Sequence, residues 1–84
     1  MGLSTGNQLK AARALAGVNQ SDLSEMAGVS VNTIRNMEGR GPLVLVSGLD
    51  TVQKVQTALE SAGVIFIDPN GEGPGVRMRK EHHD

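Results

Sequence analysis

Apolar residues recur at helical spacing in four separate stretches of the chain, and glycines separate these stretches. Before the first stretch, Thr5 and Gln8 form a capping-box pattern, in which each side chain can bond the other residue's backbone. Gly17 follows the stretch and can adopt the left-handed conformation that ends a helix. The apolar positions between these signals are Leu9, Ala12 and Ala16. We therefore predict a first helix over residues 6–16.

Two shorter helices are predicted next, over residues 20–27 and 30–38. Each begins at a residue that commonly caps helices and ends at a glycine. The caps are Asn19 and Ser30, and the glycines are Gly28 and Gly39. The apolar stripes consist of Leu23, Met26 and Ala27 in the second helix, and of Ile34 and Met37 in the third. The other residues of the third helix are mainly polar, so one of its faces is expected to contact solvent or a ligand.

The fourth helix is predicted over residues 48–62, because its apolar residues recur every three or four positions. Ser47 and Asp50 resemble a second capping pattern, and Gly63 follows the end of the helix. The apolar positions are Leu49, Val52, Val55, Leu59 and Ala62. Between the third and fourth helices lies an apolar run, Leu43 to Val46, part of which is expected to pack on the core or on a partner.

A β-hairpin is predicted after the helices, with strands over 64–68 and 76–80 and a turn at Pro69-Asn70-Gly71. The strand sequence VIFI is apolar on both faces. One face can rest on helix four, and the other needs cover, because an isolated two-stranded hairpin is marginally stable in water. We expect a second copy of the chain to supply this cover. The predicted dimerisation residues are Val64, Ile65, Phe66, Ile67, Val76 and Met78.

Composition narrows the functional classes. A chain of 84 residues is expected to form one small domain, a helical unit over 1–63 followed by the hairpin over 64–80 and a frayed tail over 81–84. The net charge of −1 argues against a protein that binds nucleic acid through a large excess of positive charge. The chain has a single aromatic residue, which argues against nucleic-acid-binding folds that stack bases on several aromatic rings. Cysteine is absent, which excludes thiolate metal sites. No stretch resembles a membrane span or a secretory signal, so we expect a cytoplasmic protein.

The segment NQSDLSEMAGVSVNTIRNMEG, residues 19–39, is the most informative part of the sequence. Two short helices that cross over a tight turn need apolar anchors, a small residue at the crossing and a glycine at the turn. Ser24 and Gly28 meet the last two needs. The anchors are Leu23, Ala27, Val29, Ile34 and Met37. The segment resembles the helix-turn-helix of the XRE, or Cro/repressor-like, family of bacterial and phage transcriptional regulators, strongly over 8–39 and more loosely through helix four.

This resemblance implies a mainly α, four-helix Cro/repressor-like fold with a C-terminal hairpin, in which residues 30–38 form the recognition helix in the DNA major groove. Arg13 and Glu38 match a family pair that joins helix one to the end of helix three. The implied base-contacting residues are Val31, Asn32, Thr33, Arg35 and Asn36. The implied phosphate-contacting residues are Lys10, Gln20, Ser30, Gly39 and Arg40, together with the backbone amide of Gly41.

The expected function is therefore sequence-specific repression of transcription by a homodimer bound to an inverted-repeat DNA operator, without a cofactor. RNA polymerase is a further candidate partner through Asp22 and Glu25, which are equally typical of a solvated helix. The alternative is a protein-binding module, such as an antitoxin or antiactivator, that uses the same fold and the hairpin to contact a partner protein. An enzyme is not expected, since no nucleophile with a base, phosphate loop or acid–base pair is present.

Two charged groups near the C-terminus leave alternatives open. Arg77, Arg79 and Lys80 can face DNA, or they can protect a solvated edge strand from pairing with other chains. His82 and His83 lie in the predicted frayed tail, and adjacent histidines do not converge on a metal without further ligands. No metal site is expected there.

Overall fold

The computed structural model describes residues 2–80, which form four helices and then two strands. The elements are α1 (Gly6–Ala16), α2 (Gln20–Ala27), α3 (Val31–Glu38), α4 (Leu49–Ser61), β1 (Val64–Ile67) and β2 (Gly75–Met78). The predicted fold class, mainly α with a C-terminal two-stranded hairpin, is confirmed. The helix bounds differ from the prediction by one residue at most, and each strand is shorter than predicted. The predicted frayed tail over 81–84 lies outside the described residues.

The first three helices begin and end as local sequence signals predict. Thr5 and Gln8 form the reciprocal capping box of α1. The side chains of Asn19 and Ser30 accept hydrogen bonds from the N–H groups of the third residues of α2 and α3. Gly17 and Gly28 end α1 and α2 with φ values of 69° and 72°, a conformation that costs glycine little. These boundaries are therefore determined by residues adjacent to them in the chain.

Three predictions about helix caps and apolar faces are wrong. The N-cap of α4 is Gly48, and no side chain caps this helix, so the Ser47 and Asp50 pattern does not operate. Leu49 is 85% exposed because it lies at the free start of α4, before the helix reaches the core. Met26 is 47% exposed, since α2 packs on the core through Leu23 and Ala27.

The core lies between α2, α3 and α4 and extends beneath α1 and the hairpin. Its fully buried large side chains are Leu9, Leu23, Ile34, Met37, Val55, Leu59 and Val64. Ser24 of α2 is buried, and its hydroxyl donates to the carbonyl of Ser21 at 2.7 Å, so this polar group is satisfied inside the protein. The predicted inward positions of α3 are confirmed, and the stripe of α4 is confirmed at its centre.

The hairpin packs against its own chain on one face. Its antiparallel register pairs Val64 with Met78 and Phe66 with Val76, and all four side chains contact the core. The strand β2 packs mainly on α1, whereas β1 packs on α4, so two helices support the hairpin where the sequence predicts one. The outward face carries Ile65 and Ile67, of which Ile67 is 39% exposed. Four of the six predicted dimerisation residues thus contact their own protomer.

An N-terminal arm, residues 2–5, joins the hairpin to the loop after α3. The N–H of Gly2 donates to the Asp68 carboxylate at 2.6 Å, and the N–H of Leu45 donates to the carbonyl of Ser4 at 2.8 Å. Leu3 is buried, and its N–H donates to the Gln56 side chain at 3.1 Å. The arm therefore belongs to the folded domain and closes one side of the core.

Gly6, the first residue of α1, lies close against the end of α3 and the turn that follows it. A Cβ atom at this position would lie 2.5 Å from the carbonyl oxygen of Met37 and 2.7 Å from the backbone nitrogen of Gly41. Backbone atoms cannot rotate away as a side chain does, so α1 and α3 would have to separate. We expect Gly6→Ala to lower the free energy of unfolding by about 1–3 kcal/mol in urea denaturation.

Gly73→Ala is the matched control, because a Cβ atom there meets nothing within 4 Å. The control is expected to leave stability unchanged or to raise it slightly by restricting the unfolded chain. Equal midpoints for Gly6→Ala and the native protein would contradict the close approach of α1 to α3.

Candidate nucleic-acid interface

The third helix divides cleanly into a buried and an exposed face. Ile34 and Met37 are 0% and 1% exposed and attach α3 to the core. The exposed residues lie on the opposite side of the helix and are Asn32, Arg35 and Asn36, with Gly39 just beyond the C-terminal end. Val31 and Thr33 flank this face and are half-buried. The five predicted base-contacting residues thus occupy one continuous outer face of α3.

The exposed face of α3 presents both hydrogen-bond donors and acceptors. The Arg35 guanidinium donates to Oδ1 of Asn32 at 3.3 Å, which leaves the Asn32 amide nitrogen and other guanidinium N–H groups available to a ligand. Asn36 lies one turn further along the same face. Asparagine amides and arginine guanidinium groups are the side chains that pair in two-pronged fashion with adenine and guanine edges.

Arg13, Glu38 and Gln20 form a network that joins α1, α2 and α3. Arg13 Nε and Nη2 donate to the two oxygens of Glu38 at 2.7 and 3.1 Å, and Gln20 Nε2 donates to Glu38 Oε1 at 3.1 Å. Arg13 Nη1 also donates to the carbonyl of Val18. The hydrogen bonds that Arg13 donates to Glu38 raise the pKa of Arg13 against the opposing effect of burial, and charge attraction to Glu38 raises it further. The end of α3 is thereby fixed to both preceding helices.

Several predicted phosphate-contacting groups already have partners within the protein. The N–H groups of Gly39 and Gly41 donate to the carbonyls of Arg35 and Glu38, so neither amide is directed at a ligand, and this counts against their predicted role. The Ser30 hydroxyl caps α3 and contacts the Thr33 hydroxyl. Lys10 is exposed on α1, and Arg40 is half-buried with its Nε donating to the carbonyl of Val44.

The α2–α3 pair has a buried Ser24 in its first helix, a left-handed Gly28 in the turn and one exposed polar face on its second helix. A sequence model of a helix-turn-helix family, the Cro/C1-type of the XRE family, matches residues 9–38. Residues 9–38 are an XRE-family helix-turn-helix. Comparison with curated proteins gives no significant match over the chain.

The match confirms the resemblance seen in the sequence and assigns the first three helices to a DNA-binding regulatory domain. The fourth helix, the N-terminal arm and the hairpin lie outside the matched residues. In the XRE-family helix-turn-helix of this protein, α2 and α3 are the two helices joined by the turn at Gly28. Among residues 2–80, no helix is long and apolar enough to cross a membrane.

Sequence reasoning does not find the bond between Gln20 and Glu38, nor the wider role of Gln8. The sequence assigns Gln20 only to phosphate, whereas its side-chain amide also holds the carboxylate that orients α3. The capping pattern identifies Gln8 as a helix-start residue, but this side chain is 5% exposed and bonds the arm and the hairpin as well. No local signal marks either contact, because the partners are between 6 and 67 residues away.

Removing the charge of Glu38 should lower the stability of the helix-turn-helix. Its side chain is 7% exposed, and Glu38→Gln would leave the half-buried Arg13 without a countercharge. We expect the free energy of unfolding to fall by about 1–3 kcal/mol in urea denaturation, the usual contribution of hydrogen bonds to charged groups.

Lys54→Gln tests the same loss of charge at the exposed Lys54–Asp50 pair, which has an N–O distance of 3.6 Å. Exposed pairs of this kind contribute about 0–1 kcal/mol. If Glu38→Gln costs no more than Lys54→Gln, the Arg13–Glu38 pair does not hold α3 in place.

Proposed function

We propose that this protein is a sequence-specific DNA-binding repressor that acts as a homodimer on an inverted-repeat operator. The observation that carries the proposal is the division of α3, whose apolar face is fully buried while Asn32, Arg35 and Asn36 face outward together. A polar outer face is ordinary for a surface helix, but this one carries amide and guanidinium groups with no acidic side chain among them, and these are the groups that bond base edges in the major groove. The XRE-family match over 9–38 supports the same conclusion.

The proposed contacts follow from the chemistry of each side chain. Asn32 and Asn36 bond adenine N6 and N7, Arg35 bonds guanine or a phosphate, and Val31 packs against a thymine methyl group. Thr33 contacts either a base or the backbone. Phosphates on the flanks are held by Lys10, Arg40 and the N-terminus of α2, where the first N–H groups and the helix dipole favour an anion.

We propose a dimer because a single protomer is expected to bind DNA weakly. A chain with a net charge of −1 and few basic side chains near α3 neutralises few phosphates, so one copy binds weakly. Two copies related by a two-fold axis read two half-sites about 34 Å apart, and the linked contacts raise affinity without further residues. Occupation of an operator that overlaps a promoter excludes RNA polymerase, which is the simplest route to repression.

The proposal is tested by selecting bound fragments from the genomic DNA of the source organism and measuring their affinities in gel-shift titrations. We expect the selected fragments to share an inverted repeat with half-site centres about 10 base pairs apart. A scrambled repeat of the same composition should bind much more weakly at the same salt concentration. Equal affinity for the selected and scrambled DNA would overturn the proposal.

A protein-binding module remains the second candidate, because large apolar side chains are exposed after α3, among them Val44 at 66% and Val46 at 75%. This function predicts binding to a partner protein that is independent of the outer face of α3. The gel-shift experiment separates the two functions, since the module shows no preference among DNA fragments.

A further inference from the structure

The four most exposed large apolar side chains of the described residues lie in one segment, residues 41–49, which we call the apolar loop and which includes the first residue of α4. Four side chains of this loop are more than half exposed: Leu43 at 56%, Val44 at 66%, Val46 at 75% and Leu49 at 85%. On the hairpin, Ile67 reaches only 39%. Exposed apolar groups in such a cluster indicate a contact surface.

The apolar loop is held in one conformation by the rest of the chain. The N–H of Leu45 donates to the carbonyl of Ser4, Thr5 and Val44 form a β-bridge, and Arg40 Nε donates to the carbonyl of Val44 at 3.1 Å. Leu45 also packs against the core. The exposed side chains are therefore presented by an ordered backbone, so that binding through them costs little conformational entropy.

A recess lies beside these exposed side chains on the same surface. It is a groove of about 420 Å³ between the N-terminal arm, the loop and the start of α4, and Leu3, Leu45 and Val52 are among its apolar lining residues. Val44 and Leu49 also line the groove. Val46 is not among its lining residues, and its exposed side chain lies in the same loop beside the groove. A protruding side chain next to an apolar recess makes a surface complementary to itself, as contact about a two-fold axis requires.

Charge identifies the occupant as a second copy. Residues 41–49, GPLVLVSGL, contain no charged side chain, in a chain of which 20% of residues are charged. In a two-fold interface the same patch lies on both sides, and residues next to the axis approach their own copies, so a charged segment there would bring like charges together. An uncharged segment avoids this repulsion. A different partner protein would be under no such constraint.

We infer that the homodimer forms through the apolar loop, with the groove of each protomer receiving the exposed side chains of the other, and that the hairpin faces stay outside the interface. This inference rests on the proposed homodimer and identifies its surface. It replaces the hairpin as the predicted site of dimerisation.

Sedimentation equilibrium on the full chain tests the inference with single substitutions at exposed positions. We expect Val46→Glu and Leu49→Glu each to raise the dimer dissociation constant by at least about tenfold, since an unpaired carboxylate would be buried in an apolar contact on each side of the interface. Ile67→Glu is the matched control on the outer hairpin face and should leave the constant unchanged within about twofold. Thermal melting should show that all three variants remain folded, because each position is exposed.

Two results would overturn the inference. One is a native protein that stays monomeric at about 100 µM, and the other is a larger effect of Ile67→Glu than of Val46→Glu and Leu49→Glu. The proposed function can fail independently of the interface. A native dimer that depends on the loop but prefers no DNA sequence would support the interface and contradict the proposed repressor function. A monomer that binds DNA in a sequence-specific way would contradict the interface and support sequence-specific DNA binding.

Discussion

Asn32→Ala and Asn36→Ala should each weaken binding to the selected DNA by about tenfold to a hundredfold. Both amides lie on the outer face of α3, and a two-pronged contact to adenine contributes about 1–3 kcal/mol of discrimination. A dimer loses the contact twice, so the effect approaches the upper end of this range on an inverted repeat. Gel-shift titration at constant salt measures the change.

Asn70→Ala is the matched control, since it removes the same amide at an exposed position in the hairpin turn. This variant should retain native affinity and native sequence preference. The two α3 variants should lose preference chiefly at one base pair in each half-site, whereas loss of a phosphate contact lowers affinity for all sequences alike. If both α3 variants bind the selected DNA with native affinity, α3 is not the recognition helix.

Gln8→Ala should destabilise the domain by about 3 kcal/mol, which lowers the melting temperature by roughly 10–20 °C. Gln8 Oε1 accepts from the N–H of Ser4 at 2.7 Å, while Nε2 donates to the carbonyls of Gly2 and Gly75, both at 3.1 Å. Truncation leaves these groups without their partner in a site where Gln8 is only 5% exposed. Alanine also removes half of the capping box.

Gln53→Ala is the appropriate comparison, because Gln53 is exposed on α4 and its side-chain amide donates to the neighbouring Thr57 hydroxyl at 3.2 Å. Its effect on the free energy of unfolding should be within about 0.5 kcal/mol. Hydrogen exchange provides a second measurement: in Gln8→Ala the hairpin amides should exchange faster, because the bond to Gly75 joins the hairpin to α1. Unchanged exchange in the hairpin would show that Gln8 acts on α1 alone.

Local sequence signals predict the helices well because their causes are local. Thr5, Asn19 and Ser30 each cap a helix by bonding a backbone N–H three residues later. The same reasoning fails at Ser47, where the next residue is the N-cap and no side chain caps the helix. A capping pattern shows only which bond is possible, and the path of the loop after α3 determines whether that bond forms.

The candidate site is predictable in part. Alternation of apolar and polar positions along α3 identifies its outer face, because burial of Ile34 and Met37 leaves one orientation for the helix. Backbone partners are not predictable: the amides of Gly39 and Gly41 look available in the sequence but donate within the turn that ends α3. The packing of the hairpin is hidden for a related reason, since pattern alone does not reveal that α1 covers β2.

The sequence by itself determined the four helices, the hairpin and the helix-turn-helix, because caps, glycines and apolar spacing act over a few residues. Only the tertiary structure decided which apolar residues remain exposed and which polar ones are buried. Leu49 and Gln8 show the difference: the leucine is 85% exposed and the glutamine 5%, contrary to their hydropathy. Their environments are set by contacts with the arm, the loop and the hairpin, which come together only when distant parts of the chain pack.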